Sequence, residues 1–287
     1  MNKRLGILFG LLLLPASLVW AEYQTLEKVA RTYAVAQPGL QSYKTTINTD
    51  KIGQLLEQMT AKLPADAPRP PVPKVVKYWS RATESSVIRA EGGNVFPYVQ
   101  EMVKRFSTEL AIELRSFLLP VAKAGERAAL LEKSHIKRSE NLLGETRIET
   151  LVIDFTEPAD LNGAFYGYGL AIPQQQIKLL VIDLDLGHEI VRRFEVTTAA
   201  GELRTVEVRH FDIRGEELLN EIQVTSPDGL VDDRFKVRFD LIEGFWLPVR
   251  MYHDSLMGNQ RESLYVKFID YEVNADLPED VNKLLQP

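Results

Sequence analysis

The sequence predicts an α+β protein, mainly antiparallel β, in which a single curved sheet takes helices across its concave face. Three observations carry this. From about His135 onward, short alternating segments follow one another with turn residues between them; the alternation is one-sided; and two amphipathic helical patterns, at 23–36 and 97–118, stand ready as cover. A long sheet with one apolar face must curl or be covered, because an open twisted sheet of that size leaves apolar area in water.

Taken in order, the chain opens as an export signal. Lys3 and Arg4 supply a positive start, Leu5 to Leu14 is apolar, Pro15 breaks the run, and Val19-Trp20-Ala21 places small residues at −3 and −1. The apolar run is too short to span a bilayer, so no stable membrane insertion is expected, and cleavage near Ala21 would leave a mature chain from Glu22. The absence of cysteine excludes disulfides, thiolate metal sites, cysteine nucleophiles and the acylated cysteine of a bacterial lipoprotein. A free periplasmic protein is the expectation. Cleavage removes two of 34 basic residues, leaving 32 against 40 acids, a net of −8. Such a chain is a poor partner for nucleic acid or an anionic membrane surface. Residues 22–287 read as one domain, a length that β-rich folds often use whole.

Within it, Leu26, Val29, Ala30 and Tyr33 recur at helical spacing until Pro38-Gly39. Leu40 to Thr49 reads as a strand with Tyr43, Thr45 and Ile47 on one face. A second helix is expected from Ile52, Leu55, Leu56, Met59 and Leu63, followed by a Pro-rich loop at 64–73. Lys74 to Ala90 reads as a hairpin closing at Glu91-Gly92-Gly93-Asn94. From Pro97 to Leu118 the period becomes helical, with Val99, Met102, Val103, Phe106, Leu110, Leu114 and Phe117 in one stripe until Pro120. A weaker helix is expected over Val121 to Glu132.

Eight strand-like segments then follow: 146–155, 176–185, 189–198, 203–213, 218–226, 234–242, 245–254 and 263–273. Turns such as Ala200-Gly201, Pro227-Asp228-Gly229 and Glu243-Gly244 separate them, and short connections make successive strands antiparallel neighbours. In "RFKVRFDLI", Phe235, Val237, Phe239 and Leu241 face one way and Arg234, Lys236, Arg238 and Asp240 the other. "EGFWLPVRM" is unusual. Phe245, Trp246 and Leu247 crowd a strand entry beside Pro248, an arrangement suited to a sheet edge or the mouth of a cavity.

Chemistry was sought in the motifs. His188-Glu189 begins an HExxH-like string, but residue 192 is Arg, so the zinc motif fails. The four histidines (135, 188, 210 and 253) are scattered. Asp183 and Asp185 read as turn residues. "GAFYGYG" at 163–169 lacks the helix and lysine of a phosphate cradle and reads as a flexible rim loop, with Phe165, Tyr166 and Tyr168 able to meet a ligand. There is no G-x-S-x-G elbow. Nothing calls for an enzyme, a metal or another cofactor.

The order of elements resembles the periplasmic lipoprotein-carrier fold shared by LolA, LolB and the outer-membrane lipoprotein-sorting proteins. "EGFWLPVRM" resembles the family's aromatic-proline strand entry, "YVKFIDYEVNADLPEDV" its final strand segment, and "IDLDLGHEIVRRFEV" the turn between two central strands. The resemblance implies an incomplete (half) barrel with a helical lid, holding a lipid or the acyl chains of a lipoprotein, in transport or chaperoning toward the outer membrane. Relatives on the same fold act instead as regulatory or scaffold modules, so docking of an envelope protein partner is the alternative. It also implies an arginine that closes the lid, for which Arg89 in "SSVIRAEG" is the match by position. The expected lining comprises Phe106, Leu110 and Leu114 on the lid helix; Phe194, Val206 and Val208 on the middle strands; Phe235, Val237 and Phe239; Phe245 and Leu247; and Val266 and Phe268.

Overall fold

In the computed structural model the described residues are 14–35, 37–61, 64, 71–92, 103, 110, 112–213, 216–258 and 260–285. The expected signal residues before Leu14, Phe106 and most of the 97–118 pattern, and Ala65–Pro70 of the Pro-rich loop lie outside them. The strands form one 12-stranded antiparallel sheet that does not close, in the order β3-β2-β1-β12-β11-β10-β9-β8-β7-β6-β5-β4. These are β1 (Ser42–Asn48), β2 (Lys74–Ser80), β3 (Ser85–Glu91), β4 (Ser134–Leu143), β5 (Thr146–Ala159), β6 (Ile177–Asp185), β7 (Ile190–Thr198), β8 (Leu203–Ile213), β9 (Glu216–Thr225), β10 (Val231–Ile242), β11 (Phe245–Met257) and β12 (Gln260–Val273). The helices are α1 (Leu14–Val35), α2 (Asp50–Thr60), α3 (Ala124–Leu131) and α4 (Glu279–Leu285). No described helix is long and apolar enough to cross a membrane. The meander is the expected one, and the last strand returns to pair with the first: Tyr43 faces Val273 and Ile47 faces Phe268.

The chain forms two compact units. The first draws on 1–34, 118–166 and 172–205, and so holds α1, α3 and β4 to β7. Leu26, Val29, Ala30 and Tyr33 of α1 are buried, as their spacing requires. The helix is fastened by the Tyr33 hydroxyl, which accepts from the Val191 N–H at 2.9 Å, and by Thr32 and Lys28, which reach Glu189 at 2.8 and 2.7 Å. Arg127 of α3 has no exposure at all. Its guanidinium meets Glu27 of α1 at 2.6 Å and donates to the Pro120 and Ala164 carbonyls, so one side chain joins two helices and a loop.

The second unit draws on 35–117, 167–171 and 206–287, with α2, α4, β1 to β3, most of β8, and β9 to β12. Its β2 is buried on both faces. Trp79 joins Leu40, Tyr43 and Leu247 in one buried cluster, while Val76 and Tyr78 pack on Val281 and Leu285 of α4. Neighbouring residues of a strand point to opposite faces, so α4 seals the face opposite Lys77 and Trp79. Asn274, at φ 54, ends β12 by accepting from the Gln41 N–H at 2.7 Å and donating to the Gly39 carbonyl at 3.0 Å.

Four expectations are corrected. The hairpin of β2 and β3 turns at Arg81–Glu84, not at 91–94. Glu84 takes the left-handed conformation there (φ 50), and Arg81 anchors the turn to the Leu40 and Gln37 carbonyls. In the 97–118 pattern Val103 and Leu110 are helical, but Ile112 and Glu113 belong to no helix or strand, Glu113 being extended, and Leu114–Ser116 is a 3₁₀ turn. The helical stripe therefore stops short of Leu114: Glu113 (φ −102, ψ 102) leaves the helix as its carboxylate reaches Lys77. The 163–169 segment is not a rim loop, since Ala164, Phe165 and Tyr166 are buried in the first unit and Tyr168 is the exposed aromatic. Finally, β4 and α4 are additional elements.

Candidate functional site

The second unit carries a hollow on the apolar face of its sheet, walled by β1, β2, β10, β11 and β12 and roofed by residues 112–114. Alternation puts the side chains there. Phe235, Val237 and Phe239 of β10 share one face with Met251 of β11 and Phe268 of β12, and Val237 stands directly opposite Met251. Tyr43 of β1 and Lys77 of β2 complete the wall, and Ile112, Glu113 and Leu114 reach in from above. The space is a narrow, half-open crevice of about 30 Å³, room for a water or two and far below the several hundred Å³ of a ligand pocket, so an alkyl chain fits only with the 112–114 segment displaced. Nine of its eleven described lining residues are apolar or aromatic.

The two that are not form a pair. Lys77 is buried, 3% exposed, and its ammonium lies 2.6 Å from the Glu113 carboxylate and 3.2 Å from the Leu110 carbonyl, which accepts from it. The same ammonium stands 5.8 Å from the centre of the Phe268 ring. Its surroundings satisfy the usual condition for a buried charge, a partner of opposite sign. The hairpin reading of 74–90 does not single out Lys77. The signal that would have found it is "KVVKYWS", where apolar residues on both sides of the lysine mark a strand covered on both faces.

"EGFWLPVRM" is explained beside the hollow. The β10–β11 register slips between Arg238, which faces Arg250, and Phe239, which faces Pro248, so the strand bulges there and proline is tolerated. β12 pairs with β11 only from Arg250 onward, which leaves the backbone of Trp246 without a strand neighbour on that side. Gln37 stands in for one. Its side chain donates to the Trp246 carbonyl at 2.8 Å and accepts from the Trp246 N–H. Phe245 and Leu247 pack with Leu40, Tyr43 and Trp79 into a closed cluster next to the crevice, where Tyr43 and Trp79 stack at 5.3 Å.

The remaining candidates fall as follows. Leu114, Phe235, Val237, Phe239 and Phe268 line the crevice. Val266 is buried one alternation from Phe268, and Val206 and Val208 are buried on β8. Leu110 is buried and contributes its carbonyl to Lys77. Phe194 belongs to the first unit, stacked on Tyr166 at 5.0 Å. Burial pushes the Tyr166 phenol well up, and its hydroxyl donates to the Pro173 carbonyl. Arg89 lies on β3 over the Tyr78 ring and pairs with Glu91 at 3.1 Å and with Asp280; among the described residues, the helix it holds is α4.

Two polar groups lie outside the crevice. His253 and Asp233 are buried 2.7 Å apart, but the second Asp233 oxygen accepts from the Ala171 N–H at 2.8 Å, so the pair pins the 167–171 loop to β10. Asp185 accepts from the Gly187 and His188 N–H groups and receives the Arg192 guanidinium at 2.7 Å, while Asp183 pairs with Arg193 at 2.9 Å. Asp185 builds the β6–β7 turn, as expected, whereas Asp183 lies within β6 and ties it across the sheet to Arg193 of β7 and Thr150 of β5. Among the described residues no group of three or more His, Cys, Asp or Glu is placed to hold a metal ion.

No protein-family model matches the chain, and no curated protein matches its sequence. Solved structures are similar to it. One is a LolA superfamily protein from Nitrosomonas europaea, at 9% identity over 91% of this chain and 97% of that one, with a TM-score of 0.32. Another is a DUF1329 family protein from Desulfovibrio piger, at 11% identity over 93% and 99%, TM-score 0.29. A third is a domain named for outer membrane lipoprotein sorting from Vibrio parahaemolyticus, at 9% identity over 91% and 97%, TM-score 0.27. Two of these three carry names of the family that the sequence resembles, and TM-scores of 0.27 to 0.32 assign this chain neither a fold nor a residue role.

Proposed function

We propose that this chain is a periplasmic carrier or binding protein that holds a lipid, or the acyl chains of a lipoprotein, in the crevice of its second unit, in the service of outer-membrane lipoprotein sorting. Helical segments lie over the concave face of a half-barrel in this reading, and residues 110–114 are the part of that cover nearest the ligand. The observation that carries it is the crevice itself: an apolar wall of Phe235, Val237, Phe239, Met251 and Phe268 beneath a non-strand segment. Burying an alkyl chain yields about 0.8 kcal/mol per methylene, so even half of a sixteen-carbon chain supplies on the order of 6 kcal/mol gross before ordering costs. No catalytic group is needed. Reversible loading requires only that the filled and empty states lie within a few kcal/mol of each other.

The test is to purify the exported chain and examine it by native mass spectrometry, with a neutral solvatochromic dye as a second probe. Co-purified lipid, or dye fluorescence that added fatty acid reverses, supports the reading. A chain that carries no lipid and leaves the dye dark overturns it. Recovery of a polypeptide in place of lipid would move the assignment to docking of an envelope protein partner.

A further inference from the structure

We propose that the crevice selects single-chain amphiphiles ending in a carboxylate, with Lys77 as the receptor for that carboxylate and Glu113 as its resident stand-in. The inference rests on the acyl-chain reading above and names the ligand class for the same crevice. Three observations converge on it. Among the described lining residues, Lys77 and Glu113 are the only charged side chains, set in a wall otherwise built of aromatic and aliphatic groups. A buried ion pair is a poor way to gain stability, because well-packed apolar side chains of similar volume do as well or better. The pair therefore calls for another explanation.

The second observation is the asymmetry of the two partners. Lys77 is fixed: it sits in the middle of β2, paired with Thr45 of β1 on one side and Ile88 of β3 on the other. Glu113 stands on an extended residue between helical Leu110 and the 3₁₀ turn Leu114–Ser116, outside any ladder. Its contact with Lys77 is short, yet Oε1 makes no well-directed hydrogen bond, so charge rather than geometry holds it. A carboxylate that is close but badly aimed is one that another carboxylate can replace.

The third is what moves with Glu113. Its sequence neighbours Ile112 and Leu114 both project into the crevice. Withdrawing Glu113 withdraws two apolar side chains from the space an alkyl chain needs. Exchange keeps the charge balance at Lys77: one carboxylate leaves for water and another arrives, with its tail replacing Ile112 and Leu114 against Phe235, Val237 and Phe268. A neutral ester cannot make that exchange. It either leaves Glu113 in place or strands a buried ammonium without a counter-charge, which costs binding.

The experiment compares laurate with methyl laurate as competitors of a neutral dye bound to the full exported chain, below their aggregation concentrations. In the native protein laurate is expected to bind about tenfold or more tighter than its ester, the usual size of a charge-assisted hydrogen bond. Glu113→Gln removes the competitor and should tighten laurate further while leaving the ester unchanged. The double variant Lys77→Met/Glu113→Leu, whose crevice is wholly apolar and leaves no orphaned charge, should bind the dye and both competitors with equal strength. Equal affinity for acid and ester in the native protein overturns the carboxylate inference and leaves the acyl-chain reading standing. Weaker laurate binding by Glu113→Gln overturns the exchange. If neither compound displaces dye from the native chain, the acyl-chain reading fails and the inference falls with it.

Discussion

Arg127 shows how much of this fold hangs on single side chains. It is wholly buried, and the Glu27 carboxylate, its partner at 2.6 Å, comes from a helix 100 residues away. Removing one member of such a pair leaves a buried charge uncompensated. Arg127→Met is therefore expected to destabilise by about 3–5 kcal/mol, and Glu27→Leu/Arg127→Met to recover most of it, read from urea unfolding. Asp185 provides the pH dependence. Burial alone would raise its carboxyl, but the hydrogen bonds from Arg192 and His188 outweigh that and hold it below the ordinary aspartate value. A depressed folded pKa adds stability that is complete above the unfolded value of about 3.9 and is lost as pH falls through the folded one. The unfolding free energy of Asp185→Asn should accordingly fall less steeply than that of the native chain as the pH is lowered from about 5 to 2.

At the scale of the element, legibility followed how much of a segment's surroundings its own pattern records. β5 to β12 were readable because a half-buried strand writes its two faces as alternation. β4 was not singled out: "SHIKRSENLL" carries charge along most of its length because it is an edge strand with largely exposed side chains. α4 escaped because a seven-residue helix offers only Val281 and Leu285 as an apolar pair. The hairpin turn at 81–84 was misplaced because Glu84 adopts a conformation that glycine usually signals, while glycines stood further on at 92 and 93. The pairing of Lys77 with Glu113 was invisible for a different reason. Their meeting is tertiary, and no local period records it. α4 also yields a prediction. Cutting the chain after Asp276 bares Val76 and Tyr78 and leaves Arg89 without Asp280. The loss should be on the order of 3–6 kcal/mol, from two buried aliphatic side chains and the face they cover. Dye binding in the still-folded fraction should persist, because the crevice lies on the opposite face of β2.

For the whole molecule, the same meander that builds the sheet also supplies its hollow. Strands with one dry face leave an apolar surface that the chain must fill or cover, and in the second unit residues 112–114 cover it almost completely, leaving about 30 Å³. The account stands or falls on an alkyl chain entering that crevice. Photo-cross-linking the exported chain with a diazirine-bearing fatty acid, followed by peptide mapping, asks this directly. The expected adducts fall on β10, β12 and the 112–114 segment, at Phe235, Val237, Phe268 or Leu114, and disappear when excess laurate is present. Adducts that spread over the surface and ignore the competitor, or that concentrate away from these residues, would contradict it.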